Sequence, residues 1–480
     1  MRRGWGSRTV LVGLAVGLIA VATASAVPHP PVQISSDTYT NPTSQHATQP
    51  EPDSYAWDNT IVTLVQTGRF FDGGASNAAW ATSTNGGATW TTGNLPGTTV
   101  FEGGPWARVS DPSIAYDAMH DVWLAQTLGI DASATGRALI VNRSTNGGLA
   151  WGNPVTIAQT ATNFFDKNWI ACDNYASSPF YGTCYSEWDD NTLGNRLLMS
   201  RSTDGGLTWG PPLAPAGLPS GLGGQPVALP NGTLVVPYTA NYSSIRSFRS
   251  TDGGASWSSS VLVATQSTHS VAGGMRDPPL PSAEVDGTGR VYVAWHDCRF
   301  RSGCASNDIV YSTSTDGVSW TAPFRVPIDP VTSTVDHFLP GFGADRSSRR
   351  IAVTYYYYPV ANCSVSTCQL NVGFISSWNG GATWSVPRQL AGPMNVTWVA
   401  NSSQGRMVGD YISTSFLQGE AHAVYTAARP PSGSTYDHAM YSAGIPVIGF
   451  GTAPTLTPPL AREKSPRRPP ARMLDLPTAN

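Results

Sequence analysis

Three features of the sequence predict an all-β fold made of repeated sheets. A short phrase with a conspicuous Trp at its end recurs six times, Gly and Trp are abundant (49 and 16 residues), and only 12% of the 480 residues are charged. Long-helix proteins are rich in Glu, Lys, Leu and Ala, whereas the only lysines here are Lys167 and Lys464. Short strands joined by regularly repeated turns are typical of a β-propeller, which is the predicted fold class.

The repeated phrase predicts hairpin turns. It has the form Ser-x-Asp/Asn-Gly-Gly-x-x-Trp, and one copy is a residue shorter; the copies are residues 83–90, 144–151, 202–209, 250–257, 314–320 and 377–384. Asp or Asn accepts hydrogen bonds from nearby amides, Gly adopts positive φ without steric cost, and Trp returns to the sheet as a large apolar side chain. We therefore assign the phrase a structural role and no chemistry.

A second repeated element sets the number of units. A strand, a polar turn and a stronger strand occur seven times, as in 113–116 before 122–124 and 283–285 before 291–295; the seventh copy, 411–412 before 421–425, has no phrase after it. We predict seven four-stranded blades over residues 27–450. An N-terminal strand near Val32 is expected to complete the last blade and close the ring, which removes free sheet edges. Six blades with the seventh unit as an appendage is the alternative.

The sequence patterns at both ends of the chain indicate segments that are not part of this fold. Two arginines after Met1, an apolar run over 10–22 and Ala-Ser-Ala ending at Ala26 are typical of a secretory signal peptide, residues 1–26. A membrane anchor is the alternative, but the run is short for a span and prolines follow it. Residues 451–480 are rich in Pro and Arg and are predicted to be disordered. We expect a secreted, monomeric protein without a membrane span.

The six cysteines predict local disulfides. They fall in close pairs along the chain: Cys172 with Cys184, Cys298 with Cys304, and Cys363 with Cys368. Pairing by proximity is one of fifteen connectivities, and short bridges suit the loops of an exported protein. A zinc site is the alternative, but the sequence has no Cys-x-x-Cys motif or nearby His pair to support it.

The repeated phrase resembles the Asp-box, or BNR, repeat of sialidases and related secreted propellers, over residues of about 32–449. The resemblance implies that the boxes lie on the face away from the active centre, and that loops on the opposite face carry function. It implies an extracellular glycan or glycoconjugate as the partner. A net charge of −3 and a pI of about 6.2 give no basic field for nucleic acid, and no cofactor is expected.

Polar residues recur in the segments that enter each first strand and in the loops after each second strand. The first set is Glu51, Asp53, Arg108, Asp111, Asp166, Lys167, Gln225, Arg276, Asp277, Asp336, His337, Asp410 and Tyr411; the second is Arg69, Glu187, Trp188, His296, Asp297 and Arg299. Equivalent positions in a ring converge at its centre, so we predict a mixed-charge pocket there. Turn capping by Asp111 and Asp277, which precede prolines, is the alternative role.

A sialidase-like exo-glycosidase is the leading functional hypothesis. The resemblance implies three arginines around a substrate carboxylate, and the candidates are Arg108, Arg276 and Arg299, with Arg69 and Arg406 in reserve. Tyr411 is the candidate nucleophile, Asp111 or Asp166 the acid/base, and Asp277 and His337 further substrate-binding residues. Three departures count against a classical sialidase: the Phe/Tyr-Arg-Ile-Pro motif is absent, Glu187 has no clear Tyr partner, and seven blades replace the usual six.

Two other hypotheses stay open. One is a glycosidase of another specificity, with a carboxylate pair such as Asp277 and Asp336. The other is a non-catalytic propeller that binds glycans or proteins, with Trp188, Tyr238 and Tyr357 as candidates for stacking on sugars. His296 and His337 lack a recognisable metal-ligand spacing, although a structural calcium held by Asp side chains is left open.

Overall fold

A computed structural model describes Met1 and residues 29–449, and over this range the protein is all-β, with antiparallel strand pairing throughout its sheets. The tail over 451–480 and, apart from Met1, the predicted signal peptide lie outside the described residues. No helix in the described range is long and apolar enough to cross a membrane.

The strands pair in chain order within seven groups, here called the first to seventh sheets. The first sheet has β2 (Asp53–Trp57), β3 (Thr60–Arg69), β4 (Ala75–Ser83) and β5 (Thr91–Asn94). The second has β6 (Arg108–Asp117), β7 (Val122–Ile130), β8 (Gly136–Ser144) and β9 (Val155–Gln159). The third has β10 (Phe165–Cys172), β11 (Cys184–Asp190) and β12 (Arg196–Ser202). The fourth has β13 (Val227–Ala228), β14 (Leu234–Ala240), β15 (Ser244–Ser250) and β16 (Val261–Thr265).

The remaining three sheets follow the same order. The fifth has β17 (Ser282–Val285), β18 (Val291–Asp297), β19 (Asp308–Ser314) and β20 (Phe324–Arg325). The sixth has β21 (Asp336–Ala344), β22 (Ile351–Tyr358), β23 (Gln369–Ser377) and β24 (Arg388–Asn395). A hairpin of β25 (Asn401–Ser402) and β26 (Gly405–Arg406) precedes the seventh sheet of β27 (Ser413–Leu417), β28 (Glu420–Ser432) and β29 (Thr435–Pro446). Single 3₁₀ turns lie at Val100–Glu102, Asn191–Leu193, Ser302–Cys304 and Val396–Trp398.

The N-terminal segment supplies the outer strand of the seventh sheet. Strand β1 (His29–Gln33) pairs antiparallel with β29, with Val32 opposite Ser442. Just after β1, Ile34 is 2% exposed and packs in a cluster with Val65 and Ala79 of the first sheet. The two ends of the described chain are therefore joined in one sheet, at the position that the sequence analysis expects.

The sheets follow one another in a cyclic order. The first strand of each sheet contacts the first strand of the next, and β27 of the seventh sheet contacts β2 of the first. Separate hydrophobic clusters fill the spaces between consecutive sheets, and the seventh and first sheets share one built from Val65, Ala81, Val424 and Met440. A single pairing, Ala75 with Val109, joins the first and second sheets at their edge. Burial of apolar surface between faces, rather than hydrogen bonding between sheets, holds this array together.

All six copies of the repeated phrase form the same hydrogen-bonded turn. In the first copy the Ser83 hydroxyl donates to Asn85 Oδ1 at 2.9 Å and accepts from the Gly87 amide at 2.8 Å. The side-chain oxygen Oδ1 of Asn85 also accepts a hydrogen bond from the Thr89 amide at 2.9 Å. The same pattern occurs around Asn146, Asp204, Asp252, Asp316 and Asn379. These aspartates and asparagines shape turns, as expected from the sequence.

The three proposed disulfides are present: Cys172–Cys184, Cys298–Cys304 and Cys363–Cys368. The first joins opposite residues of β10 and β11 in the third sheet. Two features differ from expectation. The third sheet has three strands rather than the four predicted for each blade. Glu187 and Trp188 lie inside β11 rather than in a loop after it, and Arg69, His296 and Asp297 likewise lie at the ends of strands β3 and β18.

Candidate functional site

A pocket lies where the segments entering several first strands come together. Its volume is about 600 Å³, including the open solvent at its mouth. Its lining includes seven charged side chains: Glu51, Arg69, Asp72, Asp111, Asp166, Lys167 and Arg276. These residues come from the first, second and third sheets and from the segment before the fifth. The structure thus forms a mixed-charge pocket from residues that are far apart in the chain.

Local irregularities of the backbone set the side-chain orientation of two of these residues, Asp111 and Lys167. Asp111 in β6 and Lys167 in β10 have left-handed φ values of 47° and 48°, and each lies where the strand register shifts by a bulge. Glu51, just before β2, has a φ of 61°. A non-glycine residue held in this region costs on the order of 1–3 kcal/mol, and a bulge reorients a side chain. The strained positions coincide with the charged lining of the pocket.

Asp410 holds two cations of the pocket. Lys167 Nζ lies 2.5 Å from Asp410 Oδ2, and Arg276 donates from Nε to Asp410 Oδ1 at 2.6 Å and from Nη2 to Oδ2. Burial by itself would raise the pKa of Asp410, but Arg276 and Lys167 outweigh it and hold that pKa below its ordinary value. Against burial, Asp111 and Asp410 raise the pKa of Lys167 well above its usual range. The three groups therefore stay charged and bind one another.

Asp111 and Asp166 face each other around one backbone amide. The Lys167 N–H lies 3.1 Å from Asp111 Oδ2 and 3.0 Å from Asp166 Oδ1, so these two oxygens are at most about 6 Å apart. Asp111 Oδ1 also accepts from the Ser110 hydroxyl at 3.1 Å and lies 3.6 Å from Lys167 Nζ. Burial raises the pKa of Asp166 to about 6, although Lys167 limits the rise. The Asp111 carboxylate is thus surrounded by donors, whereas the raised pKa of Asp166 favours the protonated form of that neighbouring carboxyl.

Glu51 is the second carboxyl with a raised pKa. Burial, reinforced by Asp111, raises the pKa of Glu51 to about 8. Its Oε2 accepts a hydrogen bond from the Gln66 amide, which is also 3.0 Å from the Ser110 hydroxyl. Its Oε1 is buried and has no hydrogen-bond partner. At neutral pH Glu51 is therefore mainly the neutral acid, with one oxygen available to a ligand.

Arg69 is the lining cation without a carboxylate partner among the described residues. It is 1% exposed, donates from Nη1 to the carbonyl oxygen of Phe70 at 3.0 Å, and has a buried, unpartnered Nε. Burial, together with the nearby Arg276, lowers the pKa of Arg69 to about 10. A buried guanidinium of this kind is stabilised by an anion that enters the pocket.

The three arginines predicted to bind a carboxylate do not share this lining. Arg276 lines the pocket, but Asp410 occupies two of its nitrogens. Arg108 lies outside the lining and pairs with Asp72 at 2.5 Å. Arg299 pairs with Asp297 through Nε at 2.9 Å and Nη2 at 2.6 Å, beside the Trp295 ring. Each of the three has its own carboxylate.

The other predicted site residues, Tyr411, Asp277 and His337, are not part of the pocket lining. The Tyr411 hydroxyl donates to the carbonyl oxygen of Pro112 at 3.0 Å, and burial, with Glu51 next, raises the pKa of Tyr411 well above its usual range. Asp277 lies 3.9 Å from His296, and burial followed by Asp336 raises the pKa of Asp277. His337 is 1% exposed and faces Asp329.

Two of the three aromatic residues proposed for sugar contact are in the core, and so is Glu187. Trp188 is fully buried against Phe165, with ring centres 5.8 Å apart, and Tyr238 is 1% exposed. Glu187 is also fully buried and has no partner for either carboxylate oxygen, and burial raises its pKa well above its ordinary value. Tyr357 alone of the three aromatic candidates is partly exposed, and its hydroxyl donates to Gln389 at 3.2 Å.

The sequence assigns roles to Asp111, Asp166 and Arg276 but none to three other charged residues of the site. Glu51, Lys167 and Asp410 appear only among the residues that enter first strands, Arg69 is a reserve candidate, and Asp72 is not a candidate at all. One available signal is rarity, because Lys167 is one of two lysines in the chain. The pairing between these residues depends on contacts between distant sheets and has no signature in local sequence.

Comparison with known proteins identifies similar structures but no family. No protein-family model matches the chain. No curated protein matches it. Among solved structures, a PL25 ulvan lyase bound to -[GlcA(1-4)Rha3S]- is 11% identical, with a TM-score of 0.51, over 86% of this chain and 96% of that one. At this sequence identity the likeness shows a shared fold and carries no information about a shared activity.

Two further structures match with TM-scores below 0.5. The α-L-arabinanase of Penicillium chrysogenum is 12% identical, with a TM-score of 0.43, over 88% of this chain and 99% of that one. The NanB sialidase of Streptococcus pneumoniae is 14% identical, with a TM-score of 0.40, over 87% and 71%. The names of these neighbours describe enzymes that act on glycans.

Proposed function

We propose that the central pocket hydrolyses a glycosidic bond of an extracellular glycan, with Asp166 as the proton donor and Asp111 as the nucleophilic carboxylate. One observation carries the proposal: Asp111 Oδ2 and Asp166 Oδ1 both lie within 3.1 Å of the Lys167 amide. Glycoside hydrolysis needs two neighbouring carboxyl groups in opposite protonation states. The raised pKa of Asp166, about 6, suits the acid, and the donors around Asp111 suit an anion.

The spacing of this pair favours retention of configuration. Carboxyl groups of inverting enzymes are about 6.5–9.5 Å apart, because a water molecule must fit beside the sugar, whereas those of retaining enzymes are about 5–5.5 Å apart. Asp111 Oδ2 and Asp166 Oδ1 are at most about 6 Å apart, a distance that accommodates the shorter spacing of retaining enzymes. In the first step Asp111 forms a bond to the anomeric carbon as the bond to the leaving oxygen breaks, and Asp166 transfers its proton to that oxygen. In the second step Asp166 removes a proton from water, which attacks the same carbon and releases Asp111.

The substrate is proposed to be an acidic sugar, such as a sialic or uronic acid. Arg69 supports this because it is buried in the lining and pairs with no described carboxylate. A planar guanidinium binds a carboxylate through two parallel hydrogen bonds. Tyr411 is proposed to position the nucleophile rather than to attack, because its hydroxyl holds the carbonyl of Pro112, the residue after Asp111.

The seven sheets are proposed to be the blades of a β-propeller with the pocket at its centre. The cyclic contacts between first strands and the pairing of β1 with β29 support seven blades rather than six. The three disulfides fit an oxidising compartment. We propose that the protein is exported and begins at Val27 after cleavage.

Fluorogenic glycosides test this function directly. Purified protein is assayed with 4-methylumbelliferyl sialoside, glucuronide and arabinofuranoside, comparing the wild type with Asp166→Asn and Asp111→Asn. The expected result is turnover of an acidic glycoside that falls at least about 100-fold in both variants. The matched control is Asp316→Asn, in an exposed turn of the repeated phrase, which should keep the wild-type rate. Equal rates in all four proteins, or no turnover of any substrate, would refute the hydrolase.

A non-catalytic glycan-binding protein is the alternative. Its support is that Lys167 and Arg276 are already paired with Asp410, which is an arrangement that braces the fold without chemistry. Saturable binding of an acidic oligosaccharide without turnover, weakened at least 10-fold by Arg69→Gln and unaffected by Asp166→Asn, would favour it.

A further inference from the structure

A second cluster of ionisable groups lies outside the pocket lining, between the fifth and sixth sheets. Asp308 begins β19, Asp329 follows β20, and His337 is the second residue of β21. One oxygen of each carboxylate and one ring nitrogen of His337 all lie within 4.8 Å of one another. Asp308 and His337 are each 1% exposed, whereas the Asp329 side chain is 14% exposed. The cluster therefore has two buried members and one that reaches solvent.

Two arginines bind one side of both carboxylates. Arg301 Nη2 lies 2.5 Å from Asp308 Oδ1 and 2.6 Å from Asp329 Oδ1. Arg325 Nη2 lies 2.8 Å and 2.5 Å from the same two oxygens. Both guanidinium groups thus hold the Oδ1 atoms and fix the orientation of the two carboxylates. The Oδ2 atoms of Asp308 and Asp329 are buried, and no hydrogen-bond donor reaches either of them.

The third group is an unprotonated ring nitrogen. His337 Nδ1 lies 3.2 Å from the carbonyl oxygen of Asn307. A carbonyl oxygen only accepts hydrogen bonds, so Nδ1 carries the proton and Nε2 presents its lone pair. Nε2 faces Asp329 Oδ2 at 4.0 Å.

The carbonyl that orients the ring is itself held in place. The Asn307 amide and side chain both donate to Asp336 Oδ1, at 2.6 and 3.0 Å. The Asn307 side chain also donates to the carbonyl oxygen of His269 at 2.8 Å. A ligating histidine usually donates its second ring N–H to a fixed carbonyl or carboxylate in this way, which sets the tautomer and the direction of the free nitrogen.

We propose that Asp308, Asp329 and His337 bind a divalent transition-metal ion, with Zn²⁺ as the best fit. Three acceptors with no donor between them repel one another unless a cation or donor lies among them. One imidazole nitrogen with two carboxylate oxygens suits Zn²⁺ better than Ca²⁺, which prefers six to eight oxygen ligands. Arg301 and Arg325 already balance the two carboxylates, so they weaken the site but also preorganise it. The bound ion would tie the loop around Asp329 to strands of the fifth and sixth sheets.

The metal site is independent of the proposed hydrolase. None of its three ligands lines the pocket that contains Asp111 and Asp166. From the sequence, His337 is a substrate-binding candidate without a recognisable metal-ligand spacing. The three ligands are too widely and irregularly spaced along the chain to form a recognisable motif, and only the packing of the two sheets brings them together.

Zn²⁺ binding to tag-free, chelator-treated protein tests the proposal. Titration by calorimetry should give one Zn²⁺ per chain, with at least 10-fold weaker binding of Ca²⁺. His337→Ala and Asp329→Asn should each weaken Zn²⁺ binding by about 10- to 100-fold. Asp329→Asn should disturb folding less, because the Asp329 side chain is partly exposed. The control is His120→Ala, which removes a His–Asp pair of 2.6 Å with no third ligand and should leave binding unchanged.

Each result bears on the proposal. One bound Zn²⁺ that is weakened in both ligand variants but not in His120→Ala supports it. No saturable binding, or binding that is equal in all four proteins, overturns it and leaves a water molecule or a proton shared among the three acceptors. Circular dichroism of each variant separates loss of ligands from loss of fold.

Discussion

Lys167 Nζ lies 2.5 Å from Asp410 Oδ2, so an ion pair joins the third sheet to the segment before the seventh. Both side chains are almost fully buried, at 9% and 0% exposure. Removing Lys167 leaves Asp410 paired with Arg276, but it takes away the cation next to the buried Asp111, whose charge is then uncompensated. We expect Lys167→Ala to lower the free energy of unfolding by about 3–5 kcal/mol, measured by urea denaturation.

A surface ion pair provides the control for that experiment. Arg137 Nε lies 2.7 Å from Asp131 Oδ2, with side chains 20% and 30% exposed. Exposed pairs contribute about 0–1 kcal/mol, so Arg137→Ala should change stability little. If both substitutions cost the same small amount, the Lys167–Asp410 pair does not brace the array.

The stabilising contribution of Glu51 should fall as the pH rises from 5 to 8. The pKa of Glu51 is about 8 in the folded protein against 4.5 for the free group, so the folded state binds this proton more tightly. The resulting stabilisation is complete below about pH 4.5 and is lost as the pH rises through 8. Asp53, with a pKa raised by burial to about 7, and Asp166 act in the same direction.

Glu51→Gln isolates the contribution of that carboxyl. Gln resembles the neutral acid, so the variant should gain stability relative to the wild type between pH 5 and 8, by at least about 1.4 kcal/mol, the equivalent of one pKa unit. Denaturant unfolding at both pH values measures it. Glu102→Gln, at a partly exposed position, should track the wild type. A constant difference between Glu51→Gln and wild type would show that Glu51 is ionised throughout.

The tryptophans of the repeated turns should stabilise the packing between sheets. Trp384 is 2% exposed and packs with Tyr311 of the fifth sheet, with ring centres 6.0 Å apart. Trp384→Ala is expected to cost about 3–5 kcal/mol in denaturant unfolding. Trp378, in the same turn, is 50% exposed, and Trp378→Ala should cost far less. A reversed ranking would contradict a packing role for the repeated Trp.

The N-terminal strand should protect the edge of the seventh sheet. Deleting residues 27–36 removes β1 and Ile34, which leaves the hydrogen-bonding edge of β29 unpaired. An unpaired edge invites association between chains, so we expect a lower melting temperature and self-association in light scattering. Deleting 451–480 should change neither property. Unchanged melting after the N-terminal deletion would mean that β1 is not needed to complete the array.

The repeats made the architecture predictable from the sequence, because each repeated turn is formed by residues that are close together in the chain. Ser, Asp or Asn, and Gly at fixed spacing form the turn through contacts within eight residues, as around Asn85. The same regularity predicted the N-terminal outer strand, whereas the proximity of the cysteines along the chain predicted the disulfides. Local regularity also made it possible to name the segments that meet at the centre.

The pairing of charges was decided only by tertiary structure. Arg276 and Asp410 are 134 residues apart, yet they form two hydrogen bonds because the fold brings the segments before the fifth and seventh sheets together. The same fold places Asp111 beside Asp166, gives Arg69 no carboxylate partner among the described residues, and gives Arg108 and Arg299 partners of their own. Side chains that look equivalent in the sequence differ in the fold because distance and burial, which no local pattern encodes, determine which of them remain free to bind a ligand.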